Sequence, residues 1–152
     1  MAVPTGSGTE TLHSALFHDV DNLQILILGV QHHVYTVLSI TVCCQGLDAT
    51  TDKGYIQLTG YDSHGGSTGV TLYVAQFNPQ VGETYVWNDK FCFNGTEPTD
   101  FSSGGLTVAA DQLALAAQAT STVQKLEFDC TSSDDGGQDY DITVSYLDQD
   151  WT

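Results

Sequence analysis

The chain has 152 residues, and its 19 Asp and Glu face three Lys (Lys53, Lys90, Lys125) and no Arg, for a formal net charge of −16. Nucleic acids and anionic membrane leaflets are gripped through clustered Lys and Arg, so both are excluded as direct partners. With no arginine, bidentate capture of carboxylate or phosphate is excluded as well.

A chain of this length is expected to form one domain that buries about 68–70% of its unfolded surface. Residues 1–22 show no sustained period; Pro4, Gly6, Ser7 and Gly8 predict an extended N-terminal arm, with Leu12 to Phe17 as a turn of helix or a docking strand. Leu23 to Val30 is almost continuously apolar, the pattern of a central strand buried on both faces. From Val34 to Gln45 the residues Val34, Leu38, Ile40, Val42 and Cys44 are assigned to one face, and Tyr35, Ser39 and Thr41 to the other. Tyr55 to Tyr61 and Val70 to Phe77 alternate in the same way, around a Gly-rich turn.

Asn78 to Glu83 reads as a turn, followed by two short aromatic strands, Thr84 to Trp87 and Lys90 to Phe93. Asn94 to Gly105 reads as a long loop. Between Ala109 and Ala119 helix propensity competes with the Leu113, Leu115, Ala117 alternation, and the flanking strands decide for β. Val123 to Cys130 is a further strand. The closing strand carries the strongest pattern: Tyr140, Ile142, Val144 and Tyr146 on one side, Asp141, Thr143, Ser145 and Leu147 on the other. Together these elements predict an all-β, single-domain antiparallel β-sandwich, jelly-roll or Ig-like, over residues 23–152, preceded by the arm at 1–22.

Charged residues make up only 14% of the chain, against about 25% in typical soluble domains. Either much of the surface is neutral because it faces other subunits, or it is an ordinary Thr-rich β surface. The start of the chain lacks a basic segment and a long apolar core, so no signal peptide is expected and Cys43, Cys44, Cys92 and Cys130 are expected to be reduced. Cys43 and Cys44 are neighbours on a strand and point to opposite faces, so they cannot share a metal.

The candidate chemical sites are weak. Gly65-Gly66-Ser67-Thr68-Gly69 has the spacing of a nucleophile elbow, but a strand follows it where a helix is required, and every histidine precedes Ser67. Asp134 to Asp141 could offer carboxylates to Ca²⁺ but lacks the EF-hand's closing Glu. His18 with Asp19 and Asp21, or His32 with His33, have ligand chemistry without a placed third partner, and read better as surface or subunit-contact histidines. Glu83 and Glu97 have no spacing that pairs them for glycoside hydrolysis. Tyr85, Trp87 and Phe91 could stack on a sugar, although core packing is the better account. No catalytic residue, cofactor or metal is expected, and the chain is read as a non-enzyme.

Tyr35-Thr36-Val37-Leu38-Ser39-Ile40-Thr41-Val42-Cys43 resembles the second strand of small virion proteins of tailed bacteriophages. Asp141-Ile142-Thr143-Val144-Ser145-Tyr146-Leu147 is similar to their closing strand. Tyr73-Val74, Pro79 to Thr84 and Leu113-Ala114-Leu115 resemble their middle turn and penultimate region. The resemblance implies a structural protein on the capsid exterior, assembled in the host cytoplasm: a decoration (cement) protein that bridges capsomers. A neck, tail or fibre adaptor is the alternative, and a glycan-binding host-adhesion module a further one. The implied partners are the major capsid protein and further copies of the chain, as a trimer. Leu12, Leu16, Phe17 and Trp151 are the expected subunit contacts.

Overall fold

A computed structural model describes residues 9–60, 71–97, 109, 122–131 and 137–150. Eleven strands are described, in chain order: β1 (Glu10–Val20), β2 (Gln24–Leu28), β3 (His33–Gly46), β4 (Lys53–Thr59), β5 (Thr71–Phe77), β6 (Thr84–Trp87), β7 (Phe91–Asn94), β8 (Thr96–Glu97), β9 (Thr122–Val123), β10 (Lys125–Thr131) and β11 (Asp139–Asp150). The expected all-β sandwich is what forms. One sheet runs β1-β11-β3-β6, with β7 also on β3; the other runs β2-β10-β4-β5; β8 and β9 form a separate two-stranded ribbon.

The pairing is nested and antiparallel. β1 pairs with β11, β2 with β10, and β4 with β5, while β6 and β7 take the two halves of β3. Setting β8 and β9 aside and counting β6 and β7 as one interrupted strand gives eight, folded as a long ribbon wrapped into two facing sheets. That order is a jelly roll rather than an Ig-like sandwich.

The core lies between the sheets. β11 contributes Tyr140, Ile142 and Val144, with Tyr146 packed against the edge of the cluster, as its alternation predicted. β10 answers with Leu126, Phe128 and Cys130, and β4 with Ile56 and Leu58. Phe128 and Tyr140 meet edge-on across the gap, ring centroids 5.0 Å apart, and Phe77 stacks on Tyr85 at 4.5 Å. All four cysteines are free thiols; Cys44 is buried while Cys43 is not, as opposite faces require.

Several expectations need correction. Residues 10–20, expected within an arm with Leu12 to Phe17 as a turn of helix or a docking strand, form an 11-residue strand hydrogen-bonded along β11, the second of those alternatives; residues 1–8 lie outside the described residues. The apolar run from Leu23 is not a doubly buried central strand. β2 is an edge of its sheet: Leu26 and Ile27 are buried while Ile25 and Leu28 are exposed. In β3 the buried set is Tyr35, Val37, Ile40, Val42 and Cys44, so the face assigned to Val34 and Leu38 was wrong. A register shift opposite Ser145/Tyr146 explains it: two residues, Leu38 and Ser39, stand between the inward Val37 and Ile40, so the period of two slips there. Thr96–Glu97, read as loop, is a short strand paired with β9. The contested segment 110–119, the turn around Gly65–Gly69 and residues 132–136 lie outside the described residues. Among the described residues no helix is long and apolar enough to cross a membrane.

Candidate interaction surface

The outer face of the β1-β11-β3-β6/β7 sheet can be read row by row from the register. Leu12, Leu147, Thr36 and Cys92 form one row. Ser14, Ser145 and Ser39 form the next. Leu16, Thr143, Thr41 and Val86 form the third. None of these side chains is charged, on a chain of net charge −16. Cross-strand contacts tie the rows: Ser14 Oγ lies 3.5 Å from Ser145 Oγ, and Thr36 Oγ1 lies 3.3 Å from Cys92 Sγ. Leu12 is 66% exposed, Leu16 81% and Val86 62%, each on an edge strand where neighbours cover one flank only.

Of the residues expected at subunit contacts, Leu12 and Leu16 stand on this outer face. Phe17 has the opposite parity and packs against the core. Trp151 lies outside the described residues. Sequence reading missed Val86 and Cys92 as members of the same face, because a strand's outer positions are set by pairing partners dozens of residues away.

Carboxylates and histidines gather at the two ends of the sheet. At one end His18 Nδ1 is hydrogen-bonded to Asp141, and His18 Nε2 lies 3.3 Å from Asp19. That bond, then the charges of Asp141 and Asp19, raises the His18 pKa above its usual 6.5. The same bond holds Asp141 below the ordinary carboxylate value. Neighbouring Asp139 is pushed up, first by desolvation and then by Asp19 and Asp141. Potential ligand atoms of His18, Asp19 and Asp141 lie within 4.8 Å of one another. The structure thus joins His18 and Asp19 to Asp141 rather than to Asp21. The ring nitrogen nearest Asp141 is already spent on a hydrogen bond, so the arrangement is that of a proton-sharing pair.

At the other end His33 Nδ1 lies 2.7 Å from Asp148 and Nε2 3.8 Å from Asp150, while His13 stacks on Tyr146 with centroids 5.1 Å apart. Tyr35, buried beside Asp148, has its pKa pushed up to about 12, chiefly by desolvation. On the second sheet, outward-facing Glu127 is buried and accepts hydrogen bonds from Gln57 Nε2 at 3.2 Å and Thr59 Oγ1 at 2.7 Å.

Among the described residues the seam between β5 and β6/β7 is open. One apolar cleft of about 200 Å³ is lined by Ile56, Phe77, Tyr85 and Trp87; a neighbouring one of about 460 Å³ by Leu58, Leu72, Trp87 and Phe91. Trp87 divides them, and its Nε1–H donates to the Asp89 carbonyl at 3.2 Å. The aromatic trio singled out in the sequence therefore stands at the sandwich's open side. The Tyr85 hydroxyl pins the turn before it, accepting from Gln80 N–H at 3.1 Å and reaching Glu83 Oε2 at 2.9 Å.

No protein-family model matches the chain, and no curated protein matches it significantly. Among solved structures it is similar to a chain in a structure of maize chlorotic mottle virus obtained by single-particle analysis. The identity is 14% over 95% of this chain and 93% of that one, with a TM-score of 0.29. The likeness found is therefore to a virus structure, at a TM-score below that of a shared fold.

Proposed function

We propose that the chain is a structural protein of a virus particle, specifically a decoration (cement) protein on the head of a tailed phage. It bridges capsomers from the capsid exterior and catalyses no reaction. The observation that supports this reading is the contrast between a net charge of −16 and a sheet face whose three central rows carry no charge and expose Leu12, Leu16 and Val86. Charge excluded from one broad face is what a surface seated on protein requires, because an unpaired carboxylate trapped at an interface costs more than it returns. Each apolar side chain fully covered there contributes about 1.5–3 kcal/mol, multiplied over many symmetric copies.

The test is to titrate purified protein onto heads of the encoding phage that lack it, counting bound copies and recording the temperature of genome release. Saturation at a number set by capsid symmetry, with release moved to higher temperature, supports the reading. Leu16→Lys is expected to lower occupancy without unfolding the chain, since Leu16 points away from the core. Absence of binding by the parent protein rejects the capsid role.

A second reading, a glycan-binding adhesion module, draws on Trp87 at the open seam. It predicts quenching of Trp fluorescence on titration with host-surface oligosaccharides, whereas a cement role leaves the emission unchanged.

A further inference from the structure

We infer that two copies of this chain pair through the free edge of β1, antiparallel and two-fold about Ser14, joining their sheets into one. The inference does not rest on the virion reading, because solution mass alone reads it.

Among the described residues β1 is bonded on one side only, by β11. It is also the least protected of the four sheet edges. Natural edges are blunted by shortness, bulges, charges or proline. β2 has five residues, β5 carries a register shift at its partner's Ile56/Gln57, and Asn88-Asp89-Lys90 interrupts β6/β7. From Thr11 to Phe17, β1 has no Asp, Glu, Lys or Pro, and its pairing with β11 runs without a shift as far as Phe17.

The backbone fixes which groups face outward. The Asp150 N–H donates to the Thr9 carbonyl at 3.1 Å, so Thr9 points both its polar groups at β11. Antiparallel alternation then turns the N–H and C=O of Glu10, Leu12, Ser14 and Leu16 toward the open side, as far as the register shift after Phe17. A second copy of the same edge can bond only in registers that pair even-numbered positions with each other. Centring on Ser14 keeps the pairs from Leu12 to Leu16 within the regular part of the strand.

That register is also chemically self-complementary. It sets Leu12 against Leu16 of the second copy, twice, and Ser14 against its own mate. Moving the register by one permitted step puts Leu16 against Glu10, or Leu12 against His18. Two acidic chains otherwise repel, and from Thr11 to Phe17 this edge carries no carboxylate. A second copy is therefore the occupant that the edge fits.

The test uses the full chain in a Cys92→Ser background, since Cys92 is exposed. Directly opposed residues in this pairing have Cα atoms about 5.5 Å apart, within disulfide reach. Ser14→Cys is expected to give a covalent dimer under mild oxidation. Leu12→Cys is not, because its mate lies four residues, about 13 Å, along the strand. Ser14→Pro removes an outward N–H but none bonded to β11, so the fold tolerates it while the dimerisation constant weakens by roughly tenfold or more. Sedimentation of the Cys92→Ser protein as a monomer at its highest soluble concentration overturns the inference, as does cross-linking of Leu12→Cys as efficiently as Ser14→Cys.

Discussion

At the residue scale, two glycines separate two physical costs. Gly82 has φ +83° with nothing near its absent Cβ, so Gly82→Ala should cost about 1 kcal/mol of backbone strain alone. Gly95 sits where the chain crosses Val30, and a Cβ there would come within 1.9 Å of the Val30 carbonyl oxygen. Gly95→Ala must push backbone apart and is expected to cost several-fold more in denaturant unfolding. Equal losses for the two would show that the crossing is loose. The thiols give a second residue-level prediction. Burial raises Cys44, and lifts Cys130 to about 12, so both should resist alkylation until the chain unfolds, while exposed Cys92 reacts at once.

His18 and Asp141 add a pH dependence whose sign follows from their directions. The His18 pKa is raised on folding, so its stabilising contribution is complete below about pH 6.5 and is lost as pH rises through the raised value. The Asp141 pKa is lowered, so its contribution is present above about pH 3.9 and is lost as pH falls through the lowered value. The pair therefore works best in mildly acidic solution. Asp141→Asn should drop the NMR titration midpoint of His18 toward about 6.5; an unmoved midpoint means the bond is absent in solution.

At the scale of elements, what could be read in advance depended on whether a strand had one wet face. β11 lies inside its sheet with one side on the core, and the period of two from Tyr140 to Tyr146 survives intact. β3 also lies inside, but the extra residue at Leu38–Ser39 moves its first half to the other parity, and a local pattern cannot reveal a bulge that its partner defines. β1 reads in sequence as either a helix turn or a docking strand because Leu12 and Leu16 are apolar on the outside while Ala15 and Phe17 are apolar on the inside. A strand with apolar groups on both faces has no period. The outer face itself was half visible: Leu12 and Leu16 were singled out, but the low charge count only hinted that the whole face is neutral, since its rows combine residues more than a hundred positions apart.

At the scale of the molecule, the charge imbalance opposes compaction. Nineteen carboxylate-bearing residues against three lysines repel across a body that is compact when folded. Salt shortens the reach of that repulsion to about 8 Å at physiological strength. Raising NaCl from low to physiological concentration should therefore raise the thermal midpoint, each 1 kcal/mol gained reading as roughly 2–4 °C. A midpoint that falls with salt would mean that the His–Asp pairs at the sheet ends outweigh the general repulsion. Pairing through β1 closes at two copies, so the three-fold assembly expected from resemblance would need a second, separate contact.

The nested ribbon has a consequence for biosynthesis. Ser14 and its neighbour Ser145 are separated by 131 positions. At a ribosome's pace of about 5–20 residues per second, the first strand waits roughly 7–26 s for its mate to emerge. Throughout that interval both margins of the leucine-bearing stretch from Thr11 to Phe17, which has no Asp, Glu or Lys, stand bare on the nascent chain. Crowded polysomes would bring such segments from adjacent ribosomes together before either molecule is finished, so yield is expected to rise when chaperones are co-expressed.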